Sequence, residues 1–159
     1  MLLSDNLNKY FDPSKKLDID FDYFSSKVIG TFYMFDKNNV EIKKYVYNEI
    51  VKEWINIDWK FIENLSTETK FFPFSYSEIV FKHVFPSVMK YIETSGGTFL
   101  TDGFISNDLN MYNDSRDWMY EFYLSFPDDL SKLIALILKK DNDLEAKEAL
   151  DSYWGYFLK

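Results

Sequence analysis

The feature that most constrains the fold is an uninterrupted helical pattern in residues 74–93, FSYSEIVFKHVFPSVMKYIE. The pattern opens with a capping box, because Ser75 can accept a hydrogen bond from the amide of Glu78 while the Glu78 side chain reaches back to Ser75. Apolar side chains then recur four residues apart and fall on one face of the helix. They are Phe81, Phe85 and Met89. The stretch predicts a long helix with one broad buried face, ended by the glycines at 96 and 97.

The same helix contains a proline, Pro86, four residues after Lys82 and four before Lys90. This spacing places Pro86 on the polar row of the helix, so we expect it to face solvent. Proline has no amide hydrogen and leaves the carbonyl of Lys82 without its helical donor. We therefore expect the helix to bend or break at this point.

Helical signals continue towards both ends of the chain. Ser4 is expected to cap a short first helix, and Pro127 opens a clear one in which Asp128 and Asp129 occupy the first turn. The last helix is predicted to begin at about Asn142 and to run to the end. The apolar stripe of the helix after Pro127 is Leu130, Leu133, Ile134, Ile137 and Leu138. We expect residues 1–159 to form a single all-α domain, a bundle of about seven or eight helices.

One segment also fits a different structure. Residues 28–47 contain two runs rich in β-branched and aromatic residues, VIGTFYMF and VEIKKYVY, separated by DKNN. Such a pattern is typical of a β-hairpin. We favour two helices, because apolar residues at steps of three and four begin well before this segment.

The composition excludes several classes of function. The chain has no cysteine, which removes disulfides, thiol catalysis and zinc–thiolate sites, and it has one histidine, His83. No catalytic motif is present, so we expect a protein that is not an enzyme, with no cofactor and no metal. The first residues lack the basic start of a signal peptide, and no apolar run approaches the ~20 residues of a membrane span. We expect a cytoplasmic protein that binds no membrane.

The charge is unevenly distributed along the chain. The formal net charge is −8, with fourteen acidic against twelve basic residues in 1–101 and twelve against six in 102–159. A nucleic-acid-binding protein has the opposite sign of charge, so we expect no nucleic-acid partner. An acidic surface steers association towards basic proteins.

The acidic excess lies mainly in residues 102–129, where acids alternate with aromatic residues. Protein interfaces combine aromatic side chains, which supply affinity, with charges that supply rate and selectivity. The predicted partner-binding residues are Asp102, Asp108, Tyr112, Asp114, Asp117, Tyr120, Glu121, Asp128 and Asp129. The alternative is an ordinary amphipathic surface, in which the acids are only solvated and the rings point inward.

The chain contains residues 74–92, described above, and residues 146–157, AKEALDSYWGYF. These two stretches resemble a family of small, all-helical bacterial proteins of unknown function. The matching positions are Phe85 with Pro86, Ala149 with Leu150, and Tyr153 with Trp154. The resemblance covers roughly residues 54–157 and implies an all-α fold, without catalytic residues to transfer.

In general character the chain is also similar to immunity proteins of bacterial toxin systems, including contact-dependent inhibition. Those proteins are small, cytosolic and acidic, and many of the toxins they neutralise are basic nucleases. The likeness implies a binding protein that covers the active or substrate-binding surface of a basic toxin domain. The alternatives are a helical interaction or self-associating module and, from another class, a carboxylate-dependent hydrolase.

Overall fold

The structure is a computed structural model of the chain. It describes residues 1–12, 78–96, 99–112 and 117–159, together with positions 14–15, 20–23, 25, 40–41, 44 and 47–48. Within these residues the regular elements are helices and no strand occurs. The all-α fold class is therefore confirmed for the described part of the chain.

The helices follow one another in a simple order. A 3-10 helix spans Leu3–Lys9, and a single α-helical turn, α1, spans Phe21–Tyr23. The long helix α2 spans Glu78–Ser95, and α3 spans Phe99–Phe104 and continues into a π-helical turn at Ile105–Leu109. The remaining elements are α4 (Asp117–Leu124), α5 (Asp128–Asp141), α6 (Leu144–Ser152) and a 3-10 helix at Trp154–Leu158.

The backbone divides into two compact units. One consists of Met1–Asp12 with Phe85–Lys159, and the other of Pro13–Val84. In the second unit the described contacts include an edge-to-face pair between Phe21 and Tyr47, with ring centroids 5.7 Å apart. The β-hairpin alternative lies mostly outside the described residues, and positions 40–41, 44 and 47–48 are helical. The prediction that residues 1–159 form a single domain stays a prediction.

The first unit has an aromatic core. Tyr123 and Trp154 are fully buried, with their ring centroids 4.9 Å apart in an edge-to-face arrangement. Phe85 packs on Tyr123 at 5.8 Å and on Phe122 at 5.5 Å. Because edge-to-face aromatic pairs add about 0.5–1.5 kcal/mol beyond burial, this cluster fixes α4 against α2 and the C-terminal helix.

The long helix agrees with its sequence pattern on the buried face. Phe81, Phe85 and Met89 have no solvent exposure, and the helix ends at Ser95, immediately before Gly96. Pro86 is buried and α2 continues through it, so the prediction that this proline faces solvent is wrong. The physical reason is that the buried face of α2 extends beyond its rows of apolar side chains at this point, since residues 85–89 are all buried.

The N-terminal segment packs in the first unit through Leu7 and Phe11, and one carboxylate binds its start. Glu93 accepts hydrogen bonds from the amides of Leu3 and Ser4, both at 2.9 Å, and from the Ser4 hydroxyl at 2.8 Å. Lys140 on α5 donates to the same carboxylate at 3.1 Å. Ser4 therefore does not cap the first helix. Its hydroxyl donates instead to Glu93, which lies 89 residues later in the sequence.

The helix α5 is the one that the sequence predicted most completely. Its residues Leu130, Ile134, Ile137 and Leu138 are buried, and its C-cap is Asn142, in the left-handed conformation with φ of 59°. Because Asn142 closes α5, the N-cap of α6 is the next residue, Asp143, whose side chain accepts from the amide of Ala146 at 3.0 Å. None of the helices in the described residues has the length and the apolar composition that a membrane span requires.

Candidate functional site

The helix α4 presents an acidic and aromatic face to solvent. Asp117 and Glu121 are exposed, Tyr120 is 48% exposed and Leu124 is 54% exposed. These four residues follow the spacing i, i+3, i+4 and i+7, so they lie on one side of the helix. This face of α4 therefore combines a tyrosine and a leucine, each about half exposed, with two exposed acids.

The opposite side of α4 holds this face in place. Met119 and Tyr123 are fully buried, and the Tyr123 hydroxyl donates to the backbone carbonyl of Asp108 at 2.6 Å. Phe122 contacts Phe126 edge-to-face, with ring centroids 4.8 Å apart. The exposed side chains of α4 therefore start from a fixed backbone, which lowers the entropy lost on binding.

The first turn of α5 continues the acidic surface. Asp128 and Asp129 are both exposed. Burial first, and then the electrostatic effect of Tyr120 and Asp128, raises the pKa of the Tyr153 hydroxyl above its usual value. Tyr153 is partly buried and packs on Trp154 and Phe157, with ring centroids at 5.0 and 5.4 Å.

We call this set the acidic–aromatic surface. Its members are Asp117, Tyr120, Glu121, Leu124, Asp128 and Tyr153. Within the part of the chain that the structure describes, the carboxylates of Asp117, Glu121 and Asp128 make no ion pair and no hydrogen bond. The surface therefore presents negative charge that no described neighbour neutralises. Tyr153 was not among the residues predicted from sequence, because the electrostatic effect of Tyr120 and Asp128 on it depends on the tertiary fold.

The remaining predicted partner-binding residues lie elsewhere. Tyr112 is 73% exposed, and its hydroxyl donates to the backbone carbonyl of Asp151 at 3.2 Å, which links it to α6. Asp108 is 1% exposed, so it lies on no surface that a partner can reach in this conformation. Its burial follows from the π-helical turn, whose residues Ile105 and Leu109 are also buried. Asp114 lies outside the described residues, and Asp129 is exposed beside the acidic–aromatic surface.

Asp102 belongs to a different cluster of acids. It lies on α3, and one of its carboxylate oxygens is within 4.8 Å of oxygens of Asp141, at the end of α5, and Asp143, the N-cap of α6. Gly96 approaches this cluster so closely that a Cβ atom added there would overlap the Asp141 carboxylate. Only glycine fits at that position without movement of a neighbour.

The proximity of the three carboxyl groups changes their ionisation. A hydrogen bond with Asp143, then burial and neighbouring negative charge, raises the pKa of Asp102 to about 7. Burial and the charge of Asp143 raise the pKa of Asp141 to about 6. The pKa of Asp143 is lowered although burial works against this, because Asp102 and the amide of Ala146 donate to its carboxylate. Near neutral pH a proton on Asp102 can therefore be shared with Asp143.

The cluster also has the donor set of a cation site. One oxygen each of Asp102, Asp141 and Asp143 is buried and accepts no hydrogen bond from a nitrogen or hydroxyl donor. Carboxylate oxygens are the ligands that Ca²⁺ and Mg²⁺ prefer. These three residues could hold such an ion, or they could share protons instead. Sequence reasoning missed the cluster because Asp102 is some forty residues before the other two and no motif links them.

Comparisons of the chain with protein-family models, with curated proteins and with solved structures found no match. The basis for a functional proposal is therefore the chemistry of its own surface residues.

Proposed function

We propose that this protein is an immunity- or antitoxin-type binding protein, which neutralises a cognate basic toxin domain by covering its active or substrate-binding surface. The observation that carries the proposal is the acidic–aromatic surface. On it, the exposed ring of Tyr120 and an exposed leucine alternate with carboxylates that have no described partner. A single helix, α4, supplies four of its six residues.

The charge of the surface determines the kind of partner. The chain has a net charge of −8, and Asp117, Glu121 and Asp128 add unpaired negative charge at one place. Such a field repels nucleic acid and attracts proteins that carry an excess of lysine and arginine. A domain that binds or cleaves nucleic acid has this kind of surface, because it must attract phosphates. A protein that occupies that surface would prevent phosphate binding.

The exposed apolar side chains would supply the affinity. Tyrosine is enriched among residues that dominate interface energetics, and removing a central one typically costs more than about 1 kcal/mol. Tyr120 at 48% exposure and Leu124 at 54% exposure can bury further area against a partner. The acids around them would govern the association rate and its salt dependence.

The test is capture of partners from a lysate of the organism that carries the gene. The wild-type protein is compared with the double variant Asp117→Asn/Glu121→Gln. A matched control, Glu148→Gln/Asp151→Asn, removes the same charge from exposed positions of α6. Capture is measured in about 0.01 M and then about 0.15 M salt, over which the Debye length falls from about 30 Å to about 8 Å.

We expect the wild type and the control to retain one basic protein, identified by mass spectrometry, that the α4 variant loses. The loss should be greater at the higher salt concentration, where screening weakens the remaining charges. Equal capture by all three proteins would mean that the acids of α4 are only a solvated face. Retention of a second copy of the chain, in place of a basic protein, would assign the surface to self-association instead.

A further inference from the structure

The exposed residues of α4 form two parallel rows along the helix. Asp117 and Glu121, four residues apart, make a row of acids. Tyr120 and Leu124, also four residues apart, make a row of large side chains beside it, each about half exposed. Residues at this spacing have Cβ atoms about 5–6 Å from each other. The outer face of α4 is therefore a charged row next to a largely apolar row, both with helical spacing.

The acidic row is unfavourable for α4 by itself. Like charges four residues apart on a helix repel each other. Glu121 also lies in the last turn of α4, where the helix dipole disfavours negative charge, and that turn contains no basic residue. Asp117 and Glu121 form no ion pair and no hydrogen bond with the described residues. Positive charges brought by another molecule at the same spacing would relieve both effects.

The arrangement of the rows selects a helix as the structure that covers them. An extended strand turns a single row of side chains towards a partner, so it cannot match two adjacent rows. A helix can, if basic residues at i and i+4 lie beside apolar residues at i+3 and i+7. Turning such a helix end over end places equivalent rows opposite each other. It would therefore run antiparallel to α4.

A second copy of α4 does not fit this face. An antiparallel pair of identical faces would set the acids of one copy against the acids of the other, and a parallel pair would set the acids against the apolar row. The first arrangement is repulsive, and the second desolvates carboxylates without pairing them. The occupant must carry bases where α4 carries acids.

We propose that the outer face of α4, formed by Asp117, Tyr120, Glu121 and Leu124, is the docking site for an amphipathic helix of the basic partner. Lysine or arginine at i and i+4 would pair with the two acids, and apolar residues at i+3 and i+7 would pack on Tyr120 and Leu124. With eight residues α4 is about 12 Å long, so the contact covers two helical turns. The inference rests on the proposed function, which supplies the basic partner, and goes further by naming the partner element that is recognised.

The experiment uses the full chain and two labelled, alanine-rich peptides of identical composition. In the helical peptide, each repeat has lysine at i and i+4 and leucine at i+3 and i+7. In the alternating peptide, lysine and leucine alternate from one residue to the next, which is the pattern of a strand. Fluorescence anisotropy measures the affinity of each peptide in about 0.01 M salt, where screening is weak.

Two pairs of variants test the two rows. Asp117→Asn/Glu121→Gln removes the acidic row, and its control, Glu148→Gln/Asp151→Asn, removes the same charge from exposed positions of α6. Leu124→Ala shortens the apolar row, and its control is Leu144→Ala, since Leu144 is 66% exposed on α6. Circular dichroism shows whether each variant is folded. Folding should be retained, because all six side chains are exposed.

We expect the wild type to bind the helical peptide more tightly than the alternating peptide. Loss of the acidic row should weaken binding of the helical peptide by about 2–30-fold, the range of two exposed ion pairs. Leu124→Ala should weaken it by about 2–10-fold through lost apolar burial. Both controls should bind as the wild type does.

Three results would overturn the inference. Equal affinity of the wild type for the two peptides would reject a helix as the occupant. Equal losses in the α4 variants and their controls would leave only a general attraction between opposite charges. Self-association of the wild type in sedimentation, lost in the α4 variants, would assign the face to a second copy.

These failures differ from failure of the proposed function. If the helical peptide is rejected but capture of a basic protein from the lysate still depends on Asp117 and Glu121, the function stands and the partner presents another structure to α4. If the helical peptide binds as expected but no basic protein is captured, the docking site stands and the proposed function fails.

Discussion

Replacing Glu93 with glutamine should destabilise the fold strongly, because its buried carboxylate binds the start of the N-terminal segment at Leu3 and Ser4. The Glu93 side chain has no solvent exposure, and it accepts from two backbone amides, one hydroxyl and one ammonium group. Glutamine retains one acceptor oxygen but turns an NH₂ group towards donors that need an acceptor. The amides of Leu3 and Ser4 are the groups that would be left without a partner.

The magnitude follows from the number of bonds affected. A hydrogen bond to a charged group contributes ~1.5–3 kcal/mol, and a buried donor left unsatisfied costs ~1–3 kcal/mol. The bond from Lys140 adds little, because that side chain is 50% exposed and solvent screens it. We expect a loss of about 3 kcal/mol in the free energy of unfolding, which lowers Tm by roughly 6–12 °C in a chain of this size.

The pH dependence gives an independent check. Burial works to raise the pKa of Glu93, but the bonds from Ser4, Leu3 and Lys140 outweigh it and hold this pKa below the usual value of 4.5. A folded-state pKa below the unfolded one means that the unfolded chain binds more protons at low pH. The stabilisation is therefore fully present above pH 4.5 and is lost as pH falls through the folded-state pKa.

The assay is urea unfolding followed by circular dichroism, at several pH values, with amide hydrogen exchange measured at Leu3 and Ser4. Glu148→Gln is the control, since Glu148 is exposed and makes no described bond. Glu93→Gln should be much less stable than this control at pH 7, with faster exchange at both amides, and the difference should shrink below pH 4.5. Equal stability of the two variants, or a difference that does not change with pH, would refute the reasoning.

Three further predictions concern other parts of the first unit. Asp102→Asn should raise stability by about 1 kcal/mol at pH 8 after allowance for solvent screening, and the gain should largely disappear at pH 3.8. The reason is that the pKa of Asp102 is raised from 3.8 to about 7 in the folded protein. The wild type therefore loses stability as the pH rises through that interval and the carboxyl group ionises. Urea titrations of both proteins at the two pH values measure the gain. Gly96→Ala should lower the free energy of unfolding by ~1–3 kcal/mol, because the added Cβ would lie 2.8 Å from the carbonyl oxygen of Ile92. Gly103→Ala should raise it by ~0.5–1 kcal/mol, because a Cβ there would have nothing within 4 Å. Thermal unfolding compares the two variants. Trp154→Phe should lower the free energy of unfolding in urea by ~2 kcal/mol, because the variant loses the indole N–H that donates to the Leu109 carbonyl at 2.9 Å in a fully buried site. A free energy equal to that of the wild type would contradict this.

The parts of the fold that the sequence predicted are those decided by local spacing. The stripe of α5, its acidic first turn and its lysines in the last turn were all readable, because helix periodicity and the helix dipole act within a few residues. The last helix was predicted to begin at about Asn142 and to run to the end, but α6 begins at Leu144, since Asn142 is used as the left-handed cap of α5 and Asp143 is the N-cap. It also ends at Ser152, before a separate 3-10 helix.

The features that the sequence did not predict depend on contacts between distant residues. Ser4 has the pattern of a helix cap, but its hydroxyl bonds to Glu93. Asp108 has the same sequence context as the exposed acids, yet the π-helical turn buries it. Within the candidate site, the exposed face of α4 was predictable from its spacing, whereas the electrostatic effect of Tyr120 on Tyr153 was not.

The most direct test of the central claim is a growth assay with the basic protein captured from the lysate. That protein is expressed in a sensitive host together with the wild type, with the control Glu148→Gln/Asp151→Asn, or with a variant combining Asp117→Asn, Tyr120→Ala and Glu121→Gln, at matched protein levels. We expect the captured protein to stop growth, and growth to be restored by the wild type and the control but not by the α4 variant. Equal restoration by all three, or none by the wild type, would contradict the claim that this surface neutralises a basic toxin.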